Sequence, residues 1–276
     1  MTAFDLYKKA SEELNGEGDG AFEASCIFSD LLGLSKAQIL SLSRGLSTEE
    51  IALVNSAVKK RKSGYPLQYI IGSWDFYDMT FRVGEGVLIP RPETEQLVDF
   101  AVEKLKNTKD KVVFDLCAGS GCIGLSVAKH CPETLVYLFE KSPEAFVYLS
   151  ENKEKYGLKN VNLVLCDIFD FDTADLPQAD IILSNPPYIP KGEISLLQKE
   201  VQFEPTAALD GGADGLDFYR CISQMWLPKI KKGGFLAMEC GDNQSDDIIR
   251  LFSGKFADKK VIFDFNNIDR TVVFRI

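Results

Sequence analysis

The chain has 276 residues, enough for one large domain or for a typical domain with a smaller companion. Apolar residues at 45% and charged residues at 26% are the balance of a globular protein and exclude disordered and collagen-like classes. With 31 basic and 41 acidic residues the net charge is −10, an unfavourable balance for a protein that must follow a nucleic-acid backbone.

No apolar run reaches the roughly 18 residues that a bilayer span needs. The opening residues place Lys8 and Lys9 after the first apolar positions with no apolar stretch behind them, so they do not read as a secretory signal. A cytoplasmic protein is expected, with no membrane contact. Residues 1–72 read as short helices. Phe4, Tyr7, Ala10 and Leu14 recur at helical spacing, Gly16, Gly18 and Gly20 end that helix, and Ser35/Gln38 and Ser47/Glu50 form capping-box patterns. Ile51, Val54 and Val58 extend the second of these as an amphipathic helix, and such stripes are core positions of a helical bundle.

From residue 73 the period changes to two. Trp74 and Phe76, then Met79, Phe81 and Val83, flank Tyr77-Asp78 as a hairpin. Gly84, Gly86, Pro90 and Pro92 follow as a stiff connection, which makes 73–92 a hairpin and linker. From 93 to 276 apolar strands alternate with helices, ending in the strand pair VIFDF and RTVVFRI. That pattern predicts an α/β domain built on a mostly parallel sheet covered on both faces, with an antiparallel edge. Ligands of such sheets bind beyond the carboxyl ends of the strands.

The first strand of this domain runs through Asp115 into Cys117, Ala118, Gly119, Ser120 and Gly121. With Gly124 the glycines satisfy G-x-G-x-x-G, and Glu140 closes the next strand. A nucleoside-containing ligand is expected there, its ribose hydroxyls on the carboxylate. Asp115 favours S-adenosylmethionine over NAD, because it can take the ammonium of a methionine moiety and would repel a pyrophosphate. Asp167, ending the third strand, is placed to accept from an adenine amino group. His130, the single histidine, sits at a helix end before Pro132, and the seven cysteines form no C-x-x-C pair, so no metal site is expected.

The fourth strand ends in Asn185-Pro186-Pro187-Tyr188. An amide or amino nitrogen is a weak nucleophile, and this segment suits the task of orienting one. The Asn185 side-chain oxygen and the Pro186 carbonyl can accept both protons of an –NH2, proline rings stiffen the presenting backbone, and Tyr188 can pack on a flat substrate group.

At these residues the chain resembles the amino-methyltransferases with an [D/N]-P-P-[Y/F/W] motif, and specifically the bacterial release factor glutamine N5-methyltransferases of the HemK/PrmC family. The resemblance runs through RKSGYPLQYIIG (61–72), FRVGEGVLIPRPETEQLV (81–98), DLCAGSGCIGLSVA (115–128), NPPYIP (185–190) and EPTAALDGGADGLDFYR (204–220). It implies a Rossmann-like methyltransferase domain at 93–276 and an N-terminal helical domain at 1–72 that docks class I peptide chain release factors. It also implies S-adenosyl-L-methionine as cofactor. Carried over by position, Cys117 to Gly121 wrap the methionine part, Glu140 binds ribose, Asp167 and Ile168 frame adenine, and Asn185, Pro186, Pro187 and Tyr188 hold the substrate glutamine. The chain departs from the family in having Glu140 where Asp is frequent and Ile168 near a position where a bulky aromatic is common. Two rivals share the motif chemistry: an enzyme for a ribosomal-protein glutamine, and an adenine-N6 DNA methyltransferase. The second must flip its base and neutralise phosphates, against the charge of this chain. A non-catalytic S-adenosylmethionine-binding scaffold is disfavoured by the intact Asn185–Tyr188 motif.

Overall fold

The computed structural model describes residues 1–16, 19–41 and 44–276. Gly18, one of the glycines expected to end the first helix, lies outside the described residues. Two compact units result: Met1–Trp74 with Gln198–Phe203, and Asp75–Leu197 with Glu204–Ile276.

The first unit contains α1 (Ala3–Leu14), α2 (Gly20–Leu32), α3 (Lys36–Ile39), α4 (Thr48–Lys62) and α5 (Leu67–Ile71). The capping boxes Ser35/Gln38 and Ser47/Glu50 start α3 and α4 as expected. A third, Thr2/Asp5, starts α1; it escapes a search for Glu or Gln because Asp fills the reciprocal position. The buried face of α1 is Ala3, Leu6, Ala10 and Leu14, which corrects the expected stripe of Phe4, Tyr7, Ala10 and Leu14. Tyr7 stays at the rim, where its hydroxyl reaches the Ala21 carbonyl at 3.2 Å and its ring meets Phe28 edge-on. A phenol needs a hydrogen-bond partner when covered, so the aliphatic side chains turn inward instead. Val54 and Val58 are buried as expected, with Ile51 at the margin. Arg61 closes the unit: its Nε and Nη2 reach the two Glu23 oxygens at 2.9 and 2.8 Å, and Nη2 also meets Glu200 at 2.6 Å.

The hairpin is β1 (Ser73–Phe76) and β2 (Met79–Arg82), with Tyr77 at φ 58° in the turn and its N–H on Glu95 at 2.7 Å. The elements that follow are α6 (Glu95–Leu105), β3 (Lys111–Leu116), α7 (Cys122–His130), β4 (Thr134–Glu140), α8 (Pro143–Tyr156), β5 (Val161–Leu165) and β6 (Ala179–Ser184). They continue with α9 (Asp217–Cys221), β7 (Ile230–Glu239), α10 (Ser245–Leu251), β8 (Asp258–Phe263) and β9 (Asp269–Arg275). The strands form one sheet in the order β5-β4-β3-β6-β7-β9-β8. β5 to β7 are parallel, and β9 and β8 close the edge antiparallel.

Helix α6 was not anticipated from the sequence, and β7 begins at Ile230, ahead of the apolar run at Phe235. After α9 the helix widens into a π-turn, Ile222–Trp226, which carries Trp226 fully buried against Phe114 and Phe139. His130 ends α7 and meets Asp78 at 2.9 Å, a structural placement. None of the seven cysteines is in a disulfide. Among the described residues no helix is long and apolar enough to cross a membrane, and no cluster of potential metal ligands occurs.

Gly121 opens α7 at φ 85°, and a Cβ there would stand 2.4 Å from Leu149 Cδ1. Gly121→Ala is therefore expected to destabilise the fold by about 1–3 kcal/mol through overpacking and left-handed strain. A lowered midpoint in urea denaturation checks this; an unchanged midpoint contradicts it.

Candidate active site

β3 and β6 lie side by side, yet the chain leaves β3 toward β4 on one side and returns to β6 on the other. This reversal of strand order opens a crevice at their carboxyl ends. The Ser184 hydroxyl donates to the Leu116 carbonyl at 2.7 Å and ties the two ends together. Cys117 (φ 64°), Gly119 (56°) and Gly121 (85°) then bend the backbone sharply, with the Ala118 N–H on the Phe139 carbonyl at 2.9 Å. A non-glycine residue held in the left-handed region costs about 1–3 kcal/mol, and such strain concentrates at functional sites.

Glu140 holds this loop. One of its oxygens accepts from the Gly119 N–H and the other from the Ser142 N–H, both at 2.7 Å. Burial raises its carboxyl above the usual range against those backbone bonds. Asp167 accepts from the Phe169 N–H at 3.0 Å and from Lys141 at 2.6 Å. Burial opposes its ionisation, but these hydrogen bonds and the Lys141 charge win and hold it low. Burial drives the Cys117 thiol well above its ordinary value, helped by the Glu140 and Asp115 charges, which makes it a poor nucleophile.

A cleft of about 330 Å³ lies over this loop, within the range of small-molecule sites. Of the residues singled out in the sequence, Cys117, Ala118, Gly119, Ser120, Glu140, Asp167, Ile168, Asn185 and Pro187 line it. Asp115, Gly121, Pro186 and Tyr188 are not on its wall. Asp115, expected against a cofactor ammonium, lies instead fully buried beneath the loop, where Oδ2 accepts from the Gly124 N–H at 2.8 Å and Oδ1 has no hydrogen-bond partner among the described residues. Its carboxyl is pushed up to about 7, first by burial and further by the Glu140 charge. Tyr188, expected to cover a flat substrate, is turned into the core. Its hydroxyl donates to Glu239 at 3.4 Å, and its carbonyl accepts from Gln244 at 2.9 Å.

The two family-specific segments, PRPETE and EPTAALDGGADGL, meet at this site. Glu204 accepts from the Ile89 N–H at 3.0 Å and from the Arg91 guanidinium. The Ile189 N–H donates to the Leu209 carbonyl at 3.0 Å and the Ile189 carbonyl accepts from the Gly211 N–H at 2.9 Å, so residues 209–215 wrap the Asn185–Pro190 segment. Gly211 is required there, since a Cβ would stand 2.8 Å from the Tyr188 Cα. Sequence reading overlooked Thr94 and Glu239. The Asn185 Nδ2 donates to the Thr94 hydroxyl at 3.1 Å, and that hydroxyl donates to Glu239 at 2.6 Å. The PRPETE motif was the available signal for Thr94. Phe218, also unread, lines the cleft and packs edge-on against Phe169, which supplies aromatic surface in the neighbourhood of Ile168.

The residues present fit S-adenosylmethionine. A Cβ on Gly119 would meet nothing nearer than Val87 at 4.0 Å, so the loop is open toward another cleft-lining residue. Glu140 and Asp167 retain acceptor capacity for hydroxyl and amino groups at adjacent strand ends. A pyrophosphate over the loop would face the carboxylates of Glu140 and Asp167 on the cleft wall, whereas a cation is favoured there.

Fold and site together define an S-adenosylmethionine-dependent methyltransferase with a Rossmann-like catalytic unit. The description "PrmC N-terminal domain" matches residues 5–72 and "Methyltransferase small domain" matches residues 94–204. The chain is 38% identical to a release factor glutamine methyltransferase of Thermodesulfovibrio yellowstonii, over 100% of this chain and 98% of that protein. It is 37% identical to one of Geobacter sulfurreducens, over 95% and 91%. A solved methyltransferase structure from Pyrococcus furiosus matches with a TM-score of 0.54 at 16% identity, covering 83% of this chain and 98% of that one, a likeness of fold. The chain belongs to the release factor glutamine methyltransferase family.

Glu140→Gln keeps one acceptor and sets an –NH2 against a backbone N–H. Leaving that donor unsatisfied costs about 1–3 kcal/mol, so S-adenosylmethionine affinity is expected to fall roughly ten- to hundredfold. Calorimetric titration of both proteins measures this, and equal affinities would remove Glu140 from the cofactor site.

Proposed function

We propose that this chain transfers a methyl group from S-adenosyl-L-methionine to the side-chain amide nitrogen, N5, of the glutamine in the Gly-Gly-Gln motif of bacterial class I peptide chain release factors. Membership of the family over the full length supports the substrate, and the held amide of Asn185 in the cleft carries the chemistry. When bound, S-adenosylmethionine supplies an electrophilic methyl group on a positively charged sulfur. Asn185 accepts one N–H of the substrate amide from the cleft wall, and the Pro186 carbonyl, set back from that wall, accepts the second once the substrate is seated. That turns the nitrogen lone pair out of conjugation and toward the methyl carbon. Methyl transfer to that nitrogen would leave S-adenosyl-L-homocysteine as the other product, and the surplus N–H proton would pass to solvent. Positioning and electrostatics supply the rate enhancement without a strong base. Residues 1–72 act as the docking domain for the folded release factor, and remote binding energy of that kind places the reacting amide.

Labelled methyl transfer is expected to intact release factor, but not to its Gln→Ala variant, and only poorly to a short Gly-Gly-Gln peptide. Asn185→Ala should lower kcat by about a hundred- to thousandfold, the loss of about 2.7–4 kcal/mol of transition-state stabilisation, with cofactor affinity largely kept. Label in a ribosomal protein or in duplex DNA, with none in release factor, rejects the assignment.

A further inference from the structure

Glu239 ends β7 fully enclosed in the second unit, and the transfer step above makes no use of it. Its Oε2 accepts the Thr94 hydroxyl proton at 2.6 Å and its Oε1 faces the Tyr188 hydroxyl at 3.4 Å. A threonine hydroxyl has one proton to give. Because the carboxylate takes it, Thr94 can only accept from Asn185, which must turn Nδ2 toward Thr94 and leave Oδ1 as the acceptor.

We propose that Glu239 is a positioning residue for methyl transfer: through Thr94 it selects which end of the Asn185 amide meets the substrate nitrogen, and a proton on the Glu239 oxygen that faces Thr94 reverses that selection. The proposal rests on the function given above. With Glu239 protonated, its O–H donates to Thr94, and Thr94 donates to Asn185. The amide then swings its oxygen to Thr94 and presents –NH2 to the substrate –NH2, donor against donor.

The surroundings put this change near neutrality. Burial raises the Glu239 carboxyl to about 7, with the Thr94 bond opposing, Glu93 adding to the rise, and Arg270 and Tyr188 lowering it. The other titratable neighbours, Cys122, Cys240 and Tyr219, are all pushed upward, chiefly by burial, and stay neutral in this range. Because the ionised form is the active one, activity is present above pH 7 and lost below it.

The test is kcat against pH from 5.5 to 8.5, with the full chain, saturating cofactor and intact release factor. The wild type is expected to lose about tenfold per pH unit below 7, the slope of a single protonation. In Glu239→Gln the amide oxygen can still take the Thr94 proton while its –NH2 faces Tyr188, so turnover should persist and the acid limb vanish. Thr94→Val should lower kcat about tenfold at pH 8 and also lose the limb, whereas Thr94→Ser should keep both rate and limb. Calorimetric cofactor binding verifies that each variant is folded. An acid limb surviving in both Glu239→Gln and Thr94→Val overturns the proposal and assigns the limb to another group, Asp115 being the other acid near neutrality. A wild type without a limb, or a Thr94→Val enzyme at full rate, overturns it as well. A wild type that transfers no methyl group at pH 8 removes the function and this proposal together.

Discussion

The hydrogen bond from Ser184 Oγ to the Leu116 carbonyl joins two parallel strands at the point where their connections part, and the geometry of the cleft hangs on that junction. Leu116 leads into the glycine loop and Ser184 into the Asn185 segment. A one-residue slip between β3 and β6 would send every following side chain to the opposite face of the sheet. The register Leu116↔Ser184 therefore sets the distance between the glycine loop and the Asn185–Tyr188 segment. The strained backbone at Cys117 persists because the strands and the Ala118 to Phe139 bond over-determine it.

Buried acids give the site its electrical character. Asp115, Glu140 and Glu239 are each raised chiefly by burial, while Asp167 stays ionised beside Lys141. Asp115 and Glu239, both pushed up to about 7, lie outside the cleft wall, which leaves Glu140 and Asp167 as the strand-end acids that face it. Enclosed acids that titrate near neutrality respond strongly to an arriving cation or to a change in hydrogen bonding.

In the helical unit, a single guanidinium does comparable work. Arg61 is enclosed and forks onto Glu23, while the same group holds Glu200 of the distant segment Gln198–Phe203. Tyr65 and Phe203 pack edge-on in the same unit. Removing Glu23, the buried partner, would leave an uncompensated charge at a cost of about 3–5 kcal/mol, whereas the partly exposed Glu200 ties its segment to the same guanidinium more weakly. Glu204, which binds Arg91 and Ile89 beside the cleft, follows immediately in the chain.

Much of this was legible in the order of residues. Helix α7, strand β3, the hairpin turn at Tyr77-Asp78, the capping boxes of α3 and α4, and the glycine loop followed by a strand-end acid are local patterns, which backbone sterics and the period of apolar residues determine by themselves. Other features depend on neighbours in space. Tyr7 goes to the rim of α1 because its hydroxyl finds the Ala21 carbonyl, and Asp115 sinks under the loop because the Gly124 N–H lies there to meet it. Thr94, Asn185 and Glu239 are far apart in the chain and on different elements. Their shared hydrogen bonds exist only once α6, β6 and β7 pack at one end of the sheet. Sequence alone determined which chemical groups the chain carries and the strands and helices that bear them. Tertiary structure decided which groups share a proton, because a hydrogen bond reaches about 3 Å and is indifferent to how much chain separates its partners.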